Sequence, residues 1–183
     1  MTQSRPRDQF RALRHDWQIV THGHKSRWLT IPFSQGFLMV LTYRLNRAAY
    51  LAWGRRWSLF RGATAPLSPI VRLLVPNEID YRAEIGGGLR ILHPELGIVI
   101  SADARIGERL ILAGGNVIGD GAPHLGNNVE LGVNAVVIGN VVLGDMVVVG
   151  AGAVVVKHFA GPGLLVGVPA RPIPPDEGGR LRQ

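Results

Sequence analysis

The sequence predicts a mainly β protein, a parallel β-solenoid of six-residue repeats with an N-terminal α-helical region. In residues 79–155 an apolar residue returns at nearly every sixth position, and a glycine often follows it. A second compact apolar residue, such as Val129 or Ala135, stands four positions after the first. Residues 34–56 instead place apolar side chains three and four apart. A six-residue period fits neither an α-helix nor simple strand alternation, and it is typical of solenoids in which each repeat forms one short strand and one corner.

The composition favours one folded domain with an appendage. The chain has 183 residues, 46% of them hydrophobic, which is enough to bury a core. Its 24 glycines keep the register of the repeat, which argues against a low-complexity tract. Cysteine is absent, which excludes disulfides, thiolate nucleophiles and cysteine-ligated metals. We divide the chain into an arm and helical region (residues 1–76), a solenoid (77–160) and a Gly/Pro-rich tail (161–183).

The formal net charge is +7, and most of the arginines lie outside the repeat. This distribution favours a solvated basic face, or contact with an anionic cofactor or membrane surface, over nucleic acid. The first residues lack the apolar region of a signal peptide, and Arg44 and Arg47 interrupt the apolar run at residues 33–51. We therefore expect a cytoplasmic protein, with the inner face of the membrane as an open alternative.

Before the repeat, we expect a partly ordered arm and two helices. Residues 1–30 show no clear period, and His22 and His24 are better explained as exposed imidazoles than as metal ligands, so we expect no metal site. Residues 34–56 form an amphipathic helix with Ser34 as N-cap, and residues 69–74 form a short helix. The apolar stripes of this region must be covered by the solenoid, a partner chain or an anionic membrane surface.

The repeat is interrupted twice. Nine residues instead of six separate Ile91 from Ile100, and seven separate Ile118 from Leu125. Insertions in repeat proteins form loops on one face, where function concentrates. Three repeats close one triangular coil, so the sequence predicts roughly four to five coils. Because the interior of such a prism is packed, a site must lie outside it, in grooves between prisms of an oligomer.

Several motifs together resemble one family. They are Tyr43-Arg44-Leu45, Ile85-Gly86, Ile91-Leu92-His93, Gly97-Ile98-Val99-Ile100, Pro123-His124-Leu125-Gly126-Asn127, Val149-Gly150-Ala151-Gly152 and Val166-Gly167-Val168-Pro169-Ala170-Arg171. Across residues 37–173 the chain resembles the left-handed β-helix acyltransferases of the hexapeptide-repeat superfamily, in the serine O-acetyltransferase-like branch. The resemblance implies acetyl transfer from acetyl-CoA to a hydroxyl, by direct attack in a ternary complex. It also implies a homotrimer with sites between subunits, and it leaves open whether trimers pair.

The resemblance assigns roles to individual residues. His93 matches the catalytic histidine, which acts as general base and returns the proton to the leaving thiolate. Glu78, fifteen residues earlier, matches the carboxylate that orients the ring, and an ordinary solvated acid remains the alternative. Arg44 and His124 are expected at the acceptor, while a place near the thioester and a role in packing the seven-residue loop are left open for His124.

The acceptor expected from the sequence is a sugar hydroxyl. Serine acetyltransferases carry an aspartate where this chain has Leu92, an arginine where it has Gly121, and a second histidine where it has Ala122. An amino-acid acceptor would lose charged anchors at these places. Residues 122–132 are closer to acetyltransferases of colanic acid and exopolysaccharide synthesis, whose acceptors are glycans or lipid-linked precursors. A serine O-acetyltransferase of cysteine biosynthesis and a non-catalytic hexapeptide scaffold are the alternatives.

The resemblance also predicts where acetyl-CoA binds. The pantetheine arm is expected along backbone groups of the later coils, and Lys157 and Arg171 are expected at the phosphates. The residues matched to the arm are Gly119, Asp120, Val133, Ala151 and Gly152.

Overall fold

The computed structural model describes residues 5–21, 34–63 and 77–174, and it confirms a parallel β-solenoid of about five turns behind a helical region. The helices are α1 (Pro6–Thr21), α2 (Gln35–Trp53) and α3 (Arg55–Ala63). The predicted helix at residues 69–74 and the pair His22 and His24 lie outside the described residues.

In the described residues, fifteen short strands form the three faces of a prism, and from β1 to β13 sequential strands belong to successive faces. Sheet A contains β1 (Asn77–Ile79), β4 (Ile98–Ile100), β7 (Asn116–Ile118), β10 (Val136–Val137) and β13 (Val154–Val155). Sheet B contains β2 (Glu84–Ile85), β5 (Arg105–Ile106), β8 (His124–Leu125) and β11 (Val142–Leu143). Sheet C contains β3 (Arg90–Ile91), β6 (Ile111–Leu112), β9 (Glu130–Leu131), β12 (Val147–Val149), β14 (Gly163–Val166) and β15 (Arg171–Ile173).

The core of the prism is built from the two apolar positions of each repeat, as predicted. Leu125, Leu131 and Val137 are fully buried, and so are the residues four positions later, such as Val129 and Ala135. Within sheet A, Ile100 aligns with Ile118, which aligns with Val137, so equivalent residues stack along the prism. This stacking excludes water from a continuous apolar column, which is the main stabilising contribution of the repeat.

Tight corners need backbone conformations that most residues avoid. Asn128 and Asn134 adopt φ of 56° and 57°, and asparagine tolerates this left-handed region better than most residues. The seven-residue interruption holds Gly121 and Ala122, with φ of 104° and 56°. The longer interruption forms one turn of 3₁₀ helix at Pro94–Leu96.

The solenoid ends later than the predicted boundary at residue 160. Strand β14 pairs in parallel with β12, so it extends sheet C by one strand. Strand β15 then folds back and pairs antiparallel with β14. Part of the predicted tail therefore caps the last coil.

The arm expected at the N-terminus is instead a helix, α1. Pro6 stands at its first position, and the Asp8 carboxylate accepts a hydrogen bond from the backbone N–H of Arg5. The buried residues of α1 are Gln9 and Asp16. Because this buried face is polar, apolar periodicity does not reveal the helix.

The second helix begins as predicted but ends earlier. Ser34 caps α2 by accepting a hydrogen bond from the backbone N–H of Phe37. Gly54, with φ of 54°, ends α2 and separates it from α3, where the sequence predicted one helix to residue 56. Tyr43 joins α2 to the first coil by donating its hydroxyl to the carbonyl of Ala83 at 2.8 Å, and burial raises the pKa of Tyr43 to about 12.

Candidate active site

His93 lies at the corner where the chain leaves β3 of sheet C for β4 of sheet A. Its backbone N–H donates to the carbonyl of Ala113 in the next coil, and its carbonyl accepts from Leu96 within the 3₁₀ turn. The main chain on both sides is therefore fixed, while the side chain is 58% exposed. This combination presents a positioned imidazole on the outside of the prism.

One ring nitrogen of His93 contacts a carboxylate that the sequence did not predict. Nδ1 lies 3.2 Å from Oε1 of Glu95, two residues further along the chain. A carboxylate at Nδ1 favours the tautomer with its proton on Nδ1 and the lone pair on Nε2. The geometry therefore leaves Nε2 as the nitrogen that can accept a proton from a substrate.

Glu78, the predicted orienting carboxylate, lies on β1 at the edge of sheet A. It pairs in register with Val99 of β4, and its side chain is exposed. It therefore stands on sheet A, which the chain re-enters at β4 after the His93 turn. Its pairing with His93 stays a prediction.

The turn of His93 rests on a buried polar group. A Cβ on Gly114 would come within 2.5 Å of the carbonyl oxygen of His93, so only glycine fits beneath this turn. The backbone N–H of Gly114 donates to Oδ1 of Asn116, whose Nδ2 donates to the carbonyl of Gly132 at 2.7 Å. Asn116 is fully buried. Sequence reasoning missed it because the repeat otherwise places apolar residues inside.

Replacing Asn116 by alanine is expected to lower the free energy of unfolding by about 1–3 kcal/mol, because the buried N–H of Gly114 loses its partner and the carbonyl of Gly132 keeps only the bond from Ala135. Urea denaturation followed by circular dichroism measures the change. Asn140→Ala is the control, since Asn140 is exposed and should cost well under 1 kcal/mol. Equal losses in the two variants would contradict the assigned role.

Three of the residues predicted at the pantetheine arm stack on the His93 corner. From one coil to the next, Asn134 N–H donates to the carbonyl of Gly114, and Gly152 N–H donates to the carbonyl of Val133. Ala151 precedes Gly152 and is exposed. Gly152 has φ of 67° and open space where a Cβ would stand. A column of small residues thus runs along the prism from His93.

Of the other predicted cofactor residues, three lie beyond sheet A, whereas Arg171 begins β15 of sheet C. Gly119 and Asp120 follow β7 and Lys157 follows β13, at the corner between sheets A and B. Lys157 and Arg171 are both exposed. Sheet A is therefore bordered by the His93 column on one side and by this second corner on the other. A long ligand with phosphates fits such an arrangement. Small residues allow it to approach the backbone, and the cationic side chains of Lys157 and Arg171 lie near the last coils.

His124 lies away from the corner that holds His93. It belongs to β8 of sheet B, in register with Arg105 and Val142, and its side chain is half-buried. One prism does not bring the two histidines to one face, so they can share a site only between neighbouring prisms. The role of His124 at the acceptor stays a prediction.

Arg44 does not face a substrate, which corrects its predicted role. Its side chain is 1% exposed, and its guanidinium forms a buried ion pair with Asp16 at 2.9 Å. All five N–H donors are used: the remaining bonds go to Gln9 and to the carbonyls of Ile85 and Gly86. Arg44 therefore joins α1, α2 and the first coil.

The positions that distinguish the acceptor carry no charge. Leu92 beside His93 is 40% exposed, and Ala122 is an exposed residue in the seven-residue loop.

A cavity of about 460 Å³ lies elsewhere, between α1 and the first coils, and no predicted site residue lines it. Within residues 5–21, 34–63 and 77–174, no group of three or more His, Asp or Glu side chains is placed to hold a metal ion. In the same ranges no helix has both the length and the hydropathy to cross a membrane.

Comparison with known proteins decides the family. A serine acetyltransferase of Helicobacter pylori is 32% identical over 159 residues, covering 83% of this chain and 89% of that protein. The putative colanic acid biosynthesis acetyltransferase WcaB of Escherichia coli is 34% identical over 143 residues, covering 73% and 87%. The chain belongs to the hexapeptide-repeat acyltransferases. A serine acetyltransferase of Synechococcus elongatus is 36% identical over 114 residues, and this acyltransferase spans 46% of its length. No protein-family model matches the chain.

Solved structures share this fold. The soybean serine acetyltransferase apoenzyme superposes with a TM-score of 0.75 at 24% identity, covering 91% of this acyltransferase and 69% of that chain. A serine acetyltransferase in complex with CoA gives a TM-score of 0.74 at 24% identity, covering 91% and 70%. The predicted left-handed β-helix with an N-terminal helical region is confirmed.

Proposed function

We propose that this protein is an acetyl-CoA-dependent O-acetyltransferase whose acceptor is a sugar hydroxyl in an exopolysaccharide or related glycan. The observation that carries the proposal is the exposed imidazole of His93, with a carboxylate at Nδ1 and a column of small residues beside it. The relatives named as acetyltransferases and the solved complex with CoA support the donor.

The chemistry follows from the free Nε2 of His93. Acetyl-CoA supplies an activated thioester. His93 takes the proton of the acceptor hydroxyl as that oxygen attacks the thioester carbonyl, and it returns the proton to the sulfur as the C–S bond breaks. The contact with Glu95 stabilises the imidazolium that forms between the two steps.

The uncharged side chains at the positions expected to meet the acceptor support a sugar acceptor. An ammonium and a carboxylate need charged partners when they leave water, whereas sugar hydroxyls can bond to backbone groups and neutral side chains. Leu92 and Ala122 offer no charge to an amino acid. The similarity to WcaB points the same way.

Serine O-acetyltransferase is the second candidate, because the relatives in Helicobacter pylori and Synechococcus elongatus carry that name.

We also propose a homotrimer with sites between subunits. Support for it comes from the separation of the two histidines in one prism, with His93 at the corner between sheets C and A and His124 on sheet B. Mass photometry checks the trimer.

Free CoA release is expected when the protein is incubated with acetyl-CoA and sugar or glycan acceptors, because the proposed transfer liberates one thiol for each acetyl moved. A thiol reagent measures the release, and L-serine is tested in parallel. Faster turnover of L-serine than of any sugar would overturn the acceptor proposal. A protein that binds no CoA by calorimetry would overturn the acetyltransferase proposal and favour a scaffold.

A further inference from the structure

Helix α3 and the end of α2 expose an unusual set of side chains. Trp53 is 61% exposed and Leu59 65%, and Phe60, Arg55 and Arg56 are exposed beside them. We call these five residues the aromatic–arginine surface. No residue of α3 is buried. A helix of nine residues is too short to be stable in water by itself, so most of its stability must come from contacts along its sides.

The aromatic side chains of this region form one row across the break at Gly54. The ring centroids of Trp53 and Trp57 are 5.7 Å apart, and those of Trp57 and Phe60 are 5.4 Å apart. The row therefore presents a continuous apolar edge rather than scattered single residues. Contiguous apolar surface on a soluble protein marks an interaction site.

The charge of this region has one sign. Between Asp16 and Glu78 the sequence contains no other aspartate or glutamate. Arg44 and Arg47 of α2 are buried against the first coil, so they do not contribute to an outer surface. Arg55 and Arg56 are exposed, and neither side chain forms an ion pair or hydrogen bond within the described residues. The exposed positive charge of residues 34–56 therefore lies at Arg55 and Arg56, at the start of α3.

We propose that the aromatic–arginine surface docks on a bilayer that contains anionic lipids. Arginines are attracted by the negative surface potential, while tryptophan and phenylalanine settle at the boundary between headgroups and acyl chains. A second copy of the chain fits less well, because a two-fold symmetric contact would bring the arginines of both copies together. The docking does not depend on which acceptor the enzyme uses.

Co-sedimentation of the full chain with vesicles tests this proposal. We expect binding to vesicles of phosphatidylcholine mixed with phosphatidylglycerol, weak binding to phosphatidylcholine alone, and a loss of binding at high salt. The double variant Arg55→Gln with Arg56→Gln should lower the partition coefficient on the order of tenfold or more. No sedimentation with anionic vesicles at low salt would overturn the proposal.

Matched variants distinguish membrane docking through this surface from an effect of net charge and from self-association. Arg7→Gln with Arg14→Gln removes the same charge from exposed positions on α1 and should leave most of the binding. Phe60→Ser should weaken binding, whereas Phe10→Ser should not, although the two rings are 57% and 58% exposed. Equal losses in matched variants would overturn the proposal. A change of oligomer size in Phe60→Ser, seen by mass photometry, would also overturn it and assign the surface to a second copy.

Discussion

Replacing His93 by alanine is expected to lower kcat for acetyl transfer by roughly 10²–10⁴-fold, the usual contribution of a positioned general base. The side chain is exposed, so its loss removes the proton acceptor without opening a cavity in the core. CoA release followed with a thiol reagent gives kcat and KM, and calorimetry should find CoA binding largely unchanged.

The control for this variant is His15→Ala, a histidine on α1 away from the candidate site. Its turnover should stay close to that of the unmodified protein. Turnover of His93→Ala within a few-fold of that control, in a protein that is otherwise active, would contradict the role of His93.

The same assay distinguishes which of two carboxylates, Glu95 or Glu78, orients the ring of His93. If Glu95 fixes the tautomer, Glu95→Gln lowers kcat and alters the pH profile while KM for acetyl-CoA stays constant, and Glu95→Asp restores part of the rate. The contact of Nδ1 with Glu95 favours this outcome. Glu78→Gln is the parallel variant, and a larger effect there would return the role to the residue that the sequence predicted.

The solenoid could be predicted because each repeat buries the same two positions. A residue such as Leu131 meets its equivalents in the coils above and below, so one rule of burial covers most of the chain. The two interruptions were predictable for the same reason, because an extra residue cannot enter the stack. His93 follows from this rule together with the resemblance, and the structure adds its exposure and its neighbour Glu95.

Helix α1 was harder to predict because its buried side chains are polar. The buried side chains of α1 are Gln9 and Asp16, which sequence patterns treat as solvent-facing. The predicted role of Arg44 was wrong for a related reason: an arginine within a family motif suggests a ligand, yet its partners are Asp16 and the backbone of the first coil. Polar burial depends on partners that are distant in sequence, so periodicity carries no signal of it.

Replacing Asp16 by alanine is expected to lower the free energy of unfolding by about 3–5 kcal/mol, because it leaves a buried guanidinium without its counter-charge. The Asp16 carboxylate accepts two hydrogen bonds from Arg44 and one each from the backbone N–H groups of Gly88 and Leu89. Whole domains are stable by only about 5–15 kcal/mol, so this loss is a large fraction of the total. Urea denaturation measures it.

Two further variants test whether the loss comes from the unpaired charge. Asp16→Ala combined with Arg44→Met removes both charges, so it should recover part of the stability that Asp16→Ala loses. Glu108→Ala breaks an exposed pair with Arg109, at 3.7 Å, and should cost less than about 1 kcal/mol. A loss in Asp16→Ala no greater than in Glu108→Ala would show that the buried pair does not hold α1 and α2 on the first coil. A larger loss in Asp16→Ala than in Glu108→Ala would show that the Asp16 carboxylate of α1 attaches the helical region to the solenoid.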